Sequence, residues 1–226
     1  MEPLRLRNHQ YATLFKNVVL SHYPLDAIAE AEALYNGYST HPDHEEIKLH
    51  CESLISAIYF FNKLHESSLG IDLKILKALP RHHPMYYAVI NRATETSSRS
   101  GRHDEVLPFV LSYLDDPAEE FYKILFLLRW YVIHYSDNDN GILKSYEHTL
   151  ASIASAMGTF LDETKTFAER VEFLVSEFHR ADKDLHALKI AYINEPKERF
   201  SELLDNYLDK ENLLFFKDEA IRDFRT

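Results

Sequence analysis

"FYKILFLLRWYVIHYSDNDNG", residues 121–141, is the segment that decides the predicted fold. Between Phe121 and Tyr135 only three residues are strongly polar: Lys123, Arg129 and His134. An apolar run of this length, followed by the turn-forming SDNDNG, predicts a mostly buried central helix. The preceding DPAEE favours a helix start, with Asp116 as N-cap and Pro117 at the first position.

The rest of the chain is also predicted to be helical. It has only five glycines and eight prolines in 226 residues, which leaves few sites for tight hairpin turns, and its apolar periodicity is helical nearly throughout. The other predicted helices are 4–21, 24–35, 42–66, 67–80, 83–95, 143–160, 167–192 and 196–208. Apolar residues at alternating steps of three and four in 167–192 predict a seam against near-parallel neighbours.

The predicted fold class is therefore all-α, a multi-helix bundle with peripheral helices. We predict a single all-helical domain over residues 1–226. The segment TSSRSGRHDE, starting at Thr96, is predicted to be a loop, and a boundary within the domain would fall there, near 96–104.

Composition limits the class of protein. The chain is 46% hydrophobic and 27% charged, which is typical of a soluble globular protein. The single cysteine, Cys51, excludes an internal disulfide, suits a reducing compartment and is predicted to lie in the core. No secretory signal is visible, and Arg129 breaks the longest apolar block far short of the roughly 18 residues of a membrane span. A cytoplasmic protein without membrane contact is expected.

The charge is acidic overall but uneven along the chain. The formal net charge is −11, which argues against a general polyanion binder. Between Lys74 and His103, however, six basic residues accompany a single acid, Glu95. This asymmetry indicates an anionic partner, or else a solvated loop face.

Histidine richness raises the question of a metal. Among the thirteen histidines, two lie on one stripe of the long predicted helix: His179, Asp182 and His186 are at i, i+3 and i+7. Glu172 lies one heptad before His179. Imidazole and carboxylate suit zinc or iron, so this stripe is an alternative metal site. The Glu-x-x-His pairs of di-iron bundles are missing, however, and neither a metal nor a cofactor is predicted.

The usual catalytic motifs of hydrolases and nucleotide-dependent enzymes are not found. The chain has no Gly-x-Ser-x-Gly turn and no glycine-rich phosphate loop. Cys51 and His50 are adjacent, but they cannot form a catalytic Cys–His pair on a helix, because neighbouring side chains diverge by about 100°.

The central helix carries an Arg and a His separated by four residues, in LLRWYVIHYSDND. This run resembles the motif of the HEPN family of helical ribonucleases and nucleic-acid-binding domains, in which an Arg is followed after four to six residues by a His at a helix end. Arg180–His186 has similar spacing but lies in a charged amphipathic helix. The sequence departs from the family at Trp130, where Asn, Asp or His is common.

The resemblance implies RNA binding or metal-independent RNA cleavage by a homodimer, in which the motifs of two protomers line one cleft. Arg129 would hold the phosphate and His134 would act as general acid or base, since a helix C-terminus favours its protonated form. It also suggests a role in defence or toxin–antitoxin biology. Residues that would guide the strand are Arg81, His82, His83, Tyr86, Arg92, Arg99 and Arg102.

Other interpretations remain open at this point. Arg129 would serve structure alone if it paired with a carboxylate such as Glu119 or Asp162, with His134 a helix-end residue. The chain would then be a non-enzymatic helical protein that binds a partner protein through its helical seams. A metal-binding helical bundle is the third interpretation.

Overall fold

The structure, a computed structural model, describes residues 9–40, 44–115, 121–135 and 141–181. All secondary structure in these ranges is helical, which confirms the all-α multi-helix prediction. The predicted helix 196–208 and the end of 167–192 lie outside them. The described residues divide into two compact units with the boundary between Arg102 and His103. A single domain over 1–226 stays a prediction.

The first unit is organised around its third helix. Its helices are α1 (His9–Leu20), α2 (Ala27–Gly37), α3 (His44–Phe61), α4 (His65–Ala78) and α5 (Tyr86–Ser100). Helix α3 packs against the other four, because apolar side chains project from most of its faces. Cys51 is fully buried there, as predicted, and burial raises the pKa of its thiol to about 12.

Two predicted boundaries in this unit are wrong for local reasons. The helix predicted over 42–66 is broken after Phe61. Lys63 adopts φ +62° there, and the side-chain amide of Asn62 donates to the Ile58 carbonyl at 2.8 Å. The loop predicted from Thr96 contains the last turn of α5, which ends at Ser100 and is followed by Gly101 with φ +70°, and the start of α6. Hydroxyl groups of this segment donate to carbonyls three or four residues earlier, so these serines and threonines satisfy their donors within the helix instead of in a turn.

The second unit is organised around the segment 121–135. Its helices are α6 (His103–Leu114), α7 (Phe121–Tyr135), α8 (Ile142–Ser145), α9 (Glu147–Ala156) and α10 (Phe167–Ala181). Helix α7 packs against α6, α9 and α10. Leu125, Leu127 and Leu128 are fully buried, so the predicted central helix is confirmed over its described length.

The helix predicted over 143–160 is two shorter helices. Helix α9 ends at Ala156, Gly158 has φ +65°, and Phe160 is 92% exposed. Of the seam predicted from Phe167, Val171 and Leu174 are fully buried, whereas Phe167 and Phe178 are only partly buried. None of the helices in the described ranges has the length and apolarity that crossing a membrane would require.

Candidate functional site

Arg129 lies at the surface of the second unit, not inside its core. Its Nε donates to Oε1 of Glu172 on α10 at 2.7 Å, and the two side chains are 42% and 46% exposed. The expected partner Asp162 instead accepts hydrogen bonds from Thr164, and Glu119 lies outside the described residues. The Arg129 guanidinium is therefore held by one exposed carboxylate.

His134 lies at the other side of α7, against the start of α6. Its ring stacks on His103, with centroids 3.9 Å apart and planes at 20°, and Trp130 lies 5.4 Å from it. Burial, and then the neighbouring His103, lower the pKa of His134. Desolvation and the second imidazole therefore oppose the charge that the helix end was expected to favour.

A further contact joins the same two helix ends. The Tyr135 hydroxyl donates to Oδ1 of Asp104 at 2.8 Å, next in sequence to the stacked His103 and His134. Burial and this carboxylate raise the pKa of Tyr135. The contact between His103 and His134 was not predicted, because RHDE was expected to form a loop, whereas α6 begins at His103.

Arg129 and His134 do not converge within one chain. Five residues along a helix correspond to about 7.5 Å of rise and about 140° of rotation. Accordingly, Arg129 contacts α10 through Glu172, whereas His134 contacts α6 through His103. A ligand that touches both must reach around part of α7, or meet the two residues in different protomers.

Arg92, expected to guide a nucleic-acid strand, forms a buried ion pair in the first unit. Its Nε donates to Oδ2 of Asp72 at 3.0 Å, and its Nη2 donates to Oδ1 of Asp72 at 2.7 Å and to Oγ of Ser53 at 3.0 Å. Asp72 is fully buried and also accepts from Ser56 at 2.7 Å. Arg92 therefore holds α5 to α3 and α4.

The other residues of the expected strand-guiding set do not form an unpaired basic surface. Arg99 pairs with Glu95, and Arg102 pairs with Glu66. His83 lies 3.3 Å from Glu46, and Tyr86 is buried. Arg81 is half-buried and His82 is exposed.

No metal site is found where the side chains are described. Within those residues, no group of three or more His, Cys, Asp or Glu side chains is placed to hold an ion. Asp182 and His186 lie outside the described residues, as does the side chain of His179.

Comparison with protein-family models, with curated proteins and with solved structures gives no match to this chain. Its function is therefore argued from its own residues.

Proposed function

We propose that the protein binds RNA, as the HEPN-like resemblance implies, at the surface of α7 that carries Arg129 and His134. The observation that supports this proposal is the exposed ion pair between Arg129 and Glu172. Such pairs contribute only about 0–1 kcal/mol, so a phosphate can take the place of the carboxylate at little cost. A phosphate also matches the guanidinium with two parallel hydrogen bonds.

The proposed site combines residues from two copies of the chain. Arg129 and His134 face different helices of one protomer, whereas the resemblance implies a cleft lined by the motifs of two. The proposal therefore includes a homodimer formed around α7. Ile133, four residues after Arg129 and 58% exposed, lies on the same face of α7 and is an apolar residue such a contact would cover.

In the proposed cleavage step His134 is the general base. Its lowered pKa keeps the imidazole neutral near pH 7, ready to accept the proton of an RNA 2′-hydroxyl. The 2′-oxygen then attacks the adjacent phosphorus, and the 5′-oxygen leaves and takes up a proton from water. The products are a 2′,3′-cyclic phosphate and a 5′-hydroxyl, and no metal takes part.

Fluorescence anisotropy with labelled single-stranded RNA in EDTA, at several salt concentrations, tests binding. We expect Arg129→Ala to weaken binding about tenfold and to reduce the salt slope by about one. Lys165→Ala is the matched control, because it removes a cation from another exposed pair of the same unit. Absence of saturable binding at low salt, or an equal effect of the two substitutions, would overturn the proposal.

The same samples separate binding from cleavage. Cyclic phosphate ends that form with the original protein and not with His134→Ala would establish the reaction. Binding that depends on Arg129 without any cleaved product would leave an RNA-binding protein and remove the catalytic role of His134.

A helical protein-interaction protein is the second candidate, favoured by the exposed apolar side chains Ile133 and Phe173 of the second unit. Analytical ultracentrifugation of Ile133→Ser beside the original protein tests it. A dimer that dissociates on substitution, in a protein that binds no RNA, would favour this candidate.

A further inference from the structure

The first unit contains a cavity that the proposed RNA site does not involve. It is a half-open pocket between α1, α3 and α5 with a volume of about 260 Å³, and Phe61, Asn91 and Glu95 in its lining are exposed. A dry cavity of about 150 Å³ is known to hold benzene, whereas drug-sized ligands occupy roughly 300 Å³ or more. The cavity is therefore suited to one aromatic ring with a short substituent.

One side of the cavity is aromatic. Tyr11 and Phe15 of α1 line it together with Phe60 and Phe61 at the end of α3 and with Tyr23. The rings of Tyr23 and Phe61 stack with centroids 4.0 Å apart, and Phe60 meets Phe61 edge to face at 5.3 Å. Such a wall favours a flat ring, which gains from offset or edge-on contacts beyond the area it buries.

The backbone holds Tyr23 in this wall in an unfavourable conformation. The backbone φ angles of His22 and Tyr23 are 58° and 55°, values that residues other than glycine seldom adopt. Two hydrogen bonds hold Tyr23: its amide donates to Val18 at 2.8 Å, and its carbonyl accepts from the Asn62 side chain at 2.8 Å. The first of these bonds, together with the bond from the His22 amide to the Val19 carbonyl at 3.1 Å, caps the end of α1, so the helix end itself fixes the position of the Tyr23 ring.

The other side of the cavity offers hydrogen-bond donors. Arg92, Ser53 and Asn91 supply them, and the lining also includes the Glu95 carboxylate, which only accepts and pairs with Arg99. The Nε and Nη2 groups of Arg92 are engaged by Asp72 and Ser53, but its Nη1 has no hydrogen-bond partner among the described residues. Because Arg92 is part of the lining, Nη1 is the nitrogen of this side chain that is left to donate to a carboxylate or amide oxygen.

We propose that this cavity binds a small aromatic molecule with a carboxylate or amide oxygen on a short substituent. The ring contacts the aromatic wall, and the oxygen accepts from Nη1 of Arg92. The Arg92 charge is already balanced by Asp72, so an amide serves as well as a carboxylate. The site is independent of Arg129 and His134.

Ligand-observed NMR and calorimetry with four probes, up to roughly 10 mM, test the proposal. Phenylacetate and phenylacetamide have both features, ethylbenzene lacks the oxygen, and cyclohexylacetate lacks the aromatic ring. We expect at least one of the first two to bind, about tenfold or more tightly than either of the others. Failure of both phenyl compounds to bind, or equal binding by ethylbenzene or cyclohexylacetate, would overturn the proposal.

Two substitutions locate the binding. Ala57 lines the cavity on α3, so Ala57→Leu fills it and should abolish binding. Ala78→Leu, at an exposed position of α4, should leave it unchanged. Thermal unfolding confirms that each variant is folded. Binding that survives Ala57→Leu in a folded protein would place the ligand elsewhere and refute the assignment.

Arg92→Lys examines the polar side. It keeps a positive charge beside Asp72 but removes the planar fork and therefore Nη1. The preference for phenylacetamide over ethylbenzene should fall to about twofold or less while the variant stays folded. A preference that is unchanged in this variant would exclude Arg92 as the donor.

Discussion

Removing the Arg92 side chain should expose how strongly the first unit depends on its buried ion pair. Arg92 is 11% exposed and donates from two nitrogens to Asp72, which is fully buried. In Arg92→Ala, the Asp72 carboxylate keeps the Ser56 hydrogen bond and loses its only described cation. Because a buried charge without its partner costs roughly 3–5 kcal/mol, we expect a loss of that size in the free energy of unfolding near pH 7.

The loss should be smaller in acid. Burial raises the pKa of Asp72, and Arg92 is the main influence that opposes this rise. Without Arg92 the pKa rises further, so the folded variant binds a proton that the unfolded chain, with a carboxyl pKa near 3.9, does not. Stability tied to this proton is present at low pH and is lost as the pH rises through the folded pKa. The difference between variant and original protein should therefore shrink between about pH 7.5 and about pH 5.

Urea unfolding followed by far-UV circular dichroism at the two pH values measures both effects. Asp72→Asn in the Arg92→Ala background removes the unpaired charge and should restore about 2 kcal/mol. Arg99→Ala is the control, because its pair with Glu95 is about half exposed and is worth about 1 kcal/mol or less. If Arg92→Ala cost no more than Arg99→Ala, or if its cost grew in acid, the reasoning would be refuted.

Two further predictions concern one helix start and one buried histidine. At the start of α10, Oγ1 of Thr166 accepts from the Glu169 amide at 3.2 Å, and Oε2 of Glu169 accepts from the Thr166 amide at 2.8 Å. Thr166→Ala should therefore lower the free energy of unfolding in urea by about 0.5–2 kcal/mol. A variant of unchanged stability would contradict the capping role. Burial lowers the pKa of His50, which donates to Glu46 as a neutral ring. Because the unfolded state then binds more protons, stability should fall as the pH drops below about 6.5. His50→Gln should flatten this dependence, and an unchanged pH profile would show that another group causes it.

The sequence predicted what depends on composition and on periodicity within one helix. The buried segment 121–135, the seam at Val171 and Leu174, and the core position of Cys51 all follow from apolar spacing. Boundaries were less predictable where a side chain altered the local preference. Polar residues at 96–100 suggested a loop, yet their hydroxyls bond back to the helix. The signal for the start of α10 was available in TFAE, the Thr-x-x-Glu pattern of a capping box.

The candidate site was less predictable because it depends on which helices meet. Spacing on α7 gave Arg129 and His134, but their partners Glu172 and His103 come from α10 and α6. These partners decide the chemistry, since His103 helps to lower the pKa of His134 and Glu172 holds Arg129 at the surface. A pattern within one helix carries no information about either contact.

The basic residues in the stretch between Lys74 and His103 do not produce a basic surface in the folded chain. They pair largely with acids that precede them in the chain: Lys74 with Glu52, Arg92 with Asp72, and Arg102 with Glu66. These acids lie on α3 and α4, against which the stretch folds, so the charges cancel across helix contacts. An anionic strand would have to displace these carboxylates, and at Arg92 it would also have to compensate a buried Asp72. The exposed pair at Arg129 requires far less, which is why the RNA proposal rests on the second unit.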